Sequence, residues 1–427
     1  MVILYREGAY YLDLMVTPKP IFDTANDVMG YRLSFQIGNA IIEGAKTLSI
    51  DSLYVHSPFL DFVNKIGLQA LTMNKLVFLP VTDIQMATDF ETGCDVDYSL
   101  LALTLNENNI ATEKNLERIK RYRALGFKIA IFNYQSIQSI AAFFPYIDYL
   151  FCESKAADLT TALKHIILNN LPVKLIAKHV ESEKTHAQAS AVGIKFFEGS
   201  FYKLPTCSTN KKISPLQVNY MRLLNQVNRD DFDIGKFSAV VQRDPALAIR
   251  FLQMVNSSFG RGGKINSMRH AAAMIGQKEI KRWITTAVAS SLSQEGPTEL
   301  TRISLLRAQF CENVSGLFEM AAHKENLFLM GLFSVLDAIL DTTIDQALEM
   351  VIVPDQVHEA LLGKDGEFGE IYRFIKLYEQ GDWMEISRIA LMKNLSISDI
   401  FQTYYDALEW YGNMINIAID KDDLGTI

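Results

Sequence analysis

Cysteine is scarce in this chain of 427 residues, with only Cys94, Cys152, Cys207 and Cys311. They lie far apart and form no C-x-x-C pair, so no disulfide framework is suggested and reduced thiols point to the cytoplasm. The seven histidines are scattered as well, and no H-E-x-x-H pair occurs. No apolar run reaches the ~20 residues needed to span a bilayer. The opening MVILYREGAYYLDL carries charges and no cleavage pattern, which reads as no leader and no membrane insertion. Positive charge is not in excess: 41 Lys and Arg face 49 Asp and Glu, a net of −8. A whole-molecule basic footprint for nucleic acid is therefore excluded. GRGGK at 260–264 lacks the G-x-x-x-x-G-K-[ST] spacing of a phosphate loop and follows no strand pattern.

What is present is alternation. From residue 17 to about 202, short apolar runs alternate with amphipathic stretches. Strands are predicted over 30–38, 75–81, 99–105, 128–132, 148–153, 173–178 and 194–199. Between two of them Thr112 can cap a helix that turns Leu116 and Ile119 inward and stops at Gly126. Such alternation predicts an α/β fold with a mostly parallel sheet, closed as a β/α barrel.

The pattern changes after the polar, proline-containing stretch 203–215. From there the spacing is helical. Asp244 and Pro245 open a helix carrying Leu247, Phe251, Leu252 and Val255 on one face. Ser267 opens another, ended by Gly276. Gly381 and Asp382 mark one helix stopping and the next being capped. Ser398 opens a last helix with Ile400, Phe401, Tyr404, Leu408 and Tyr411 inward. The reading is α/β plus all-α, with domains at 1–205 and 206–427.

Two stretches are specific. PKPIFDTANDVMGYRLSF at 17–34 resembles the opening of EAL domains in the compact EAL-HDOD group. RDPALAIRFLQMVNSSFGRGGKINSMRHAAAMIGQKEIKRWI at 243–284 resembles the HDOD core, and LLRAQFCENV and LFLMGLFSVLDAIL resemble the segments after it. The resemblance implies an EAL-type β/α barrel followed by a helical HDOD domain. It also implies cyclic di-GMP signalling or motility.

EAL domains that hydrolyse cyclic di-GMP do so with two divalent metals, and hard cations require oxygen ligands. The matching positions here hold few. Arg32 stands at the glutamate of the E-x-L signature and Pro80 at the asparagine of the next strand. Ala102 begins the stretch matching E-x-T-E, Phe132 and Asn133 match the aspartate pair, and Phe151 matches the lysine. Lys178 replaces the first glutamate of the A-E-G-V-E stretch, and Glu198 replaces the closing glutamine. Only Glu153 and Glu181 remain as carboxylates at ligand positions. The expectation is a metal-free mouth without catalysis or cofactor, in which Glu198 pairs with Lys178 or Arg32.

In the second domain Phe333 and Ser334 stand where His-Asp phosphohydrolases carry their ligands. His270 reads as a core or interface residue and His323 as a loop residue. KEIKRW at 278–283 reads as a solvated helix face with one buried Trp283. The whole reads as a non-enzymatic signalling protein that acts by binding another protein. A metal-free receptor for cyclic di-GMP, held by Arg32 and Lys178, and a residual phosphodiesterase are the alternatives.

Overall fold

The structure, a computed structural model, describes residues 14–37, 67–81, 96–106, 113–134, 136–205, 278–283 and 298–419, with a few isolated positions besides. The helices expected at 244–255 and from Ser267, with His270 and the 260–264 loop, lie outside them. Among the described residues the chain forms two compact units. One combines 1–201 with 374–412, and the other combines 202–373 with 413–427.

In the first unit eight strands close into a barrel in chain order. β1 (Leu14–Phe22) and β2 (Val28–Ile37) form an antiparallel hairpin. β3 (Leu76–Pro80), β4 (Leu101–Asn106), β5 (Lys128–Asn133), β6 (Tyr149–Glu153), β7 (Lys174–Lys178) and β8 (Phe196–Glu198) continue in parallel. The barrel read from the alternation is present, and its interior is apolar: Ile21, Phe78, Ala102, Ala130, Tyr149, Phe151 and Ile176 form one buried cluster.

β1 is the strand the sequence pattern does not give, because Pro18 and Pro20 interrupt it. β8 meets β1 only at Ile21 and Phe22. From Leu14 to Pro20 that edge is not paired with β8, and prolines there cost no ladder bond. The hairpin thus extends beyond the ring as an arm, since β3 meets β2 only at Gly30, Tyr31 and Arg32.

Helices α1 (Leu68–Thr72), α2 (Glu113–Ala124), α3 (Ala156–Leu168) and α4 (Glu183–Val192) belong to this unit. α2 buries Ile119 as expected, leaves Leu116 half-buried, buries Tyr122 as well and stops before Gly126; Thr112, its expected cap, lies outside the described residues. The Ser182 hydroxyl caps α4 by accepting from the Thr185 N–H.

The second unit contains α5 (Thr298–Val314), α6 (Lys324–Phe333), α7 (Leu336–Leu340), α8 (Ile344–Glu349) and α9 (Asp355–Leu361). Its described residues form helices and no strand. α5 and α6 cross tightly at Gly331, where an added Cβ would lie 2.4 Å from the Arg307 backbone.

The helical domain expected over 206–427 is not one unit. Of the three last helices, α10 (Glu367–Gln380), α11 (Trp383–Lys393) and α12 (Ile397–Ile419), α11 lies wholly, α12 mostly and α10 by half with the barrel. The reason is the arm of β1 and β2. Thr17 donates its hydroxyl to the Glu379 carbonyl at 3.4 Å, Gly381 abuts Ser34, and the Tyr411 hydroxyl reaches the Met73 sulfur at 3.9 Å. The Gly381–Asp382 boundary falls as predicted, with Asp382 accepting from the Glu385 N–H. α12 begins earlier than predicted: the Ser396 hydroxyl, not Ser398, caps it by accepting from the Asp399 N–H. Its inward residues Ile400, Phe401, Tyr404, Leu408 and Tyr411 are buried as read.

Candidate functional site

The carboxyl ends of parallel barrel strands converge on one face, where such barrels carry their chemistry. Here β2 brings Arg32, β5 brings Phe132 and Asn133, β6 brings Glu153, β7 brings Lys178 and β8 brings Glu198. Arg32 and Glu198 form a two-pronged ion pair. Nε donates to Oε2 and Nη2 to Oε1, each at 2.6 Å. Both residues are buried, at 9% and 4% exposure. The pair joins β2 to β8 across the hairpin. Of the two partners expected for Glu198, Arg32 is the one that pairs.

Lys178 takes another carboxylate. Its Nζ lies 2.9 Å from Glu153 Oε1 and donates to Asn133 Oδ1 at 3.1 Å and to the Phe132 carbonyl at 3.4 Å. The second oxygen of Glu153 meets His179 Nδ1 at 2.9 Å. Burial pushes the Glu153 carboxyl up, but the hydrogen bonds and charges of His179 and Lys178 bring it below its ordinary value.

Phe132 organises the two cations. The Arg32 guanidinium and the Lys178 ammonium each lie 4.4 Å from the centroid of its ring. An aromatic face attracts a cation by its quadrupole. The ring also meets Phe151 at 5.3 Å, which meets Phe78 at 5.3 Å. An aromatic ladder thus runs from the cations into the core. Ala102 and Phe151 are fully buried members of that core, and half-buried Pro80 ends β3 opposite Thr104. Four of the ten positions singled out from the sequence, Pro80, Ala102, Phe132 and Phe151, therefore bring no polar side chain.

The turn after β7 is shaped by His179, whose φ of +58° is left-handed. Ser154 holds its carbonyl with a hydroxyl bond of 3.1 Å. Gly199 permits the close approach that follows: a Cβ there would lie 2.0 Å from the Val180 carbonyl oxygen. Val180 N–H donates to the Glu198 carbonyl at 2.9 Å, which fixes the end of β8 and hence Glu198. Glu181, at the rim, accepts from the Ser200 hydroxyl. Beneath the mouth the Cys152 thiol lies 3.0 Å from the Tyr134 hydroxyl, and burial pushes the thiol up to about 11, too high for a thiolate nucleophile.

Sequence reasoning missed His179. A histidine beside Lys178 was visible, but the left-handed turn that aims it at Glu153 was not.

A scan against known families matches the HDOD domain over residues 213–351. The chain is 30% identical over 303 residues to the cyclic di-GMP phosphodiesterase CdgJ of Vibrio cholerae, covering 70% of each. The chain belongs to the EAL-HDOD family. It is also 26% identical to the uncharacterized protein YuxH of Bacillus subtilis, across 94% of this chain and 99% of that one. Among solved structures it is similar to the PaMucR phosphodiesterase in complex with cyclic di-GMP. That match has a TM-score of 0.36 and 15% identity, over 44% of this chain and 94% of that one.

The metals that the EAL-HDOD resemblance implies can be tested against this mouth. Among the described residues no three His, Cys, Asp or Glu side chains gather as a ligand group. Both Glu198 oxygens hold Arg32, both Glu153 oxygens hold Lys178 and His179, and Glu181 holds Ser200. A dication 4 Å from an uncompensated lysine or arginine would be repelled by about 8 kcal/mol at an effective dielectric near 20. The described residues of the mouth do not fit two divalent ions.

The HDOD half is equally occupied by its own contacts. Ser334 closes α6 by donating to the Gly331 carbonyl at 2.6 Å, and Arg307 donates to its hydroxyl at 3.0 Å. Phe333 beside it is buried. Burial pushes the Asp337 carboxyl up. His323 ends a short 3-10 turn and meets Phe368 at 5.8 Å. The basic face at 278–283 is paired: Lys278 with Glu325 at 2.8 Å and Arg282 with Glu312 at 3.1 Å. No helix among the described residues is long and apolar enough to cross a membrane.

Proposed function

We propose that this EAL-HDOD protein is a non-catalytic member of its family, working in cyclic di-GMP or motility-related signalling by binding another protein. One observation carries the reading. Phe132 stands where an aspartate ligand is expected, and its ring gathers Arg32 and Lys178 in place of metal. Each cation is then matched by a carboxylate, so ligand positions have become a self-neutralised, hydrogen-bonded lock. Such a lock ties β2 to β8 across β1, where the ring closes. It presents neither the oxygen donors for a divalent ion nor uncommitted cations for a phosphodiester.

The name of CdgJ favours a second reading, hydrolysis of cyclic di-GMP. It requires the mouth to give up both ion pairs to metal. Isothermal titration with cyclic di-GMP, with and without Mg²⁺ or Mn²⁺, separates the readings. The proposal expects no heat of binding in either condition. Metal-independent binding would make the protein a receptor, and metal-dependent binding would support the phosphodiesterase.

A further inference from the structure

The amino ends of the parallel strands form the face opposite the mouth. Three short connections return the chain to that face: 125–127 from α2 to β5, 169–173 from α3 to β7, and 193–195 from α4 to β8. β5 to β8 are consecutive in the ring, so these connections share one sector. Leu125 is 42% exposed there, Ile167 67% and Leu168 83%. Among the described residues of the barrel, 14–201, they are the only large apolar side chains so exposed, and all three stand at this one face. α3 already buries Leu159, Ala162 and Ile166, so the core does not need its last two residues.

Lysines stand among these tips. Lys128 opens β5, Lys174 opens β7 and Lys195 immediately precedes β8, and each is exposed. None of the three forms an ion pair among the described residues. Lys174 lies only over the Tyr149 ring, at 5.5 Å. The acids of this face are placed otherwise. Asp23 and Asp27 are in the β1–β2 turn, and Asp97 precedes β4. Asp148, within the sector, is tied to Arg123 at 3.5 Å and accepts from the Ile129 N–H. The sector is therefore locally cationic on a chain whose net charge is −8.

The mixture decides the occupant. Protein interfaces deplete lysine relative to the rest of the surface. Single-stranded nucleic acid is gripped by aromatic rings beside the cations, and the tips here are aliphatic. An anionic bilayer takes both kinds of side chain: its headgroups attract lysine, and aliphatic tips enter the boundary of the acyl chains. We infer that the amino end of the barrel, from β5 to β8, docks on an anionic membrane surface without crossing it. The mouth, at the other end of the strands, then faces away from the lipid. Few cations and few apolar tips make the contact reversible and sensitive to salt. The inference does not depend on the reading of the mouth.

Co-sedimentation of the full chain with vesicles tests it. Wild type is expected to bind phosphatidylcholine vesicles that contain phosphatidylglycerol, to ignore vesicles of phosphatidylcholine alone, and to be released by high salt. A lysine near an anionic surface strengthens binding about fivefold, so Lys128→Gln, Lys174→Gln and Lys195→Gln together should weaken it roughly a hundredfold. Ile167→Ser with Leu168→Ser should weaken it about tenfold or more. Both variants should keep the wild-type melting temperature, because every substituted side chain is exposed. Leu391→Ser, which removes an equally exposed apolar side chain from α11, should leave binding intact. Failure to bind the anionic vesicles at low salt, equal binding to neutral vesicles, binding that survives either set of substitutions, or loss of binding in Leu391→Ser would each overturn the inference. Capture of polyglutamate or duplex DNA without vesicle binding would overturn it too, by giving the face another occupant.

Discussion

Phe132 decides the chemistry of the barrel mouth more than any charged residue around it. Two cations gathered at one ring need its π face and their own carboxylates to remain there. Replacing Phe132 with leucine keeps apolar volume and removes the face. Two cation–π contacts at partly buried sites contribute about 1–2 kcal/mol together, so Phe132→Leu should lower the melting temperature by a few degrees. Glu198→Ala should cost more, about 3–5 kcal/mol, because it leaves Arg32 buried without its partner. A thermal melt of each variant checks the order; an equal or reversed effect would contradict it. Glu153 gives a pH signature. Its carboxyl is held below the ordinary glutamate value of 4.5. Its contribution is therefore present above that value and lost as pH falls through the lower folded value. The melting-temperature difference between wild type and Glu153→Gln should be constant near neutrality and vanish in acid below pH 4.5. As Glu153 is substantially exposed, the difference should be small. Replacement at the ligand positions was legible in the sequence, since residue types can be compared one by one. Which cation takes which carboxylate was not, because it depends on strand stagger and on the left-handed turn at His179.

At the scale of elements, the strands and their order were legible from alternation and the helix stops from glycine and capping residues. β1 was not, because an open strand edge removes the penalty that makes proline a strand breaker. The start of α12 was displaced for a related reason. Two serines flank its first residue, and only the geometry shows that Ser396 reaches the Asp399 N–H. The crossing of α5 and α6 yields a prediction. At Gly331 the neighbour is the Arg307 backbone, which cannot rotate aside as a side chain can. Gly331→Ala should therefore destabilise by about 1–3 kcal/mol or more, the cost of overpacking. The expectation runs against alanine's better helix propensity, worth about 1 kcal/mol. A denaturant melt showing a stabilised variant would mean that the helices separate freely there.

For the whole molecule, sequence order and compact units part company. The HDOD match ends at 351, and the chain from 374 to 412 returns to the barrel unit. No local pattern announces this, since an amphipathic helix shows that it has an apolar face but not what the face meets. A fragment of residues 1–205 should consequently lose protection along β1 and β2, where Thr17 and Ser34 meet the returning helices. Hydrogen exchange on that fragment and on the full chain should show faster exchange in the arm of the fragment; equal rates would mean that the hairpin stands without α10 to α12. The central claim, that the mouth has exchanged metal chemistry for a cation lock, is tested most directly by incubating the purified full chain with cyclic di-GMP and excess Mg²⁺ or Mn²⁺ and measuring the linear product. The account predicts no turnover above a protein-free control, whereas metal-dependent turnover abolished by Glu153→Gln or Glu181→Gln would contradict it.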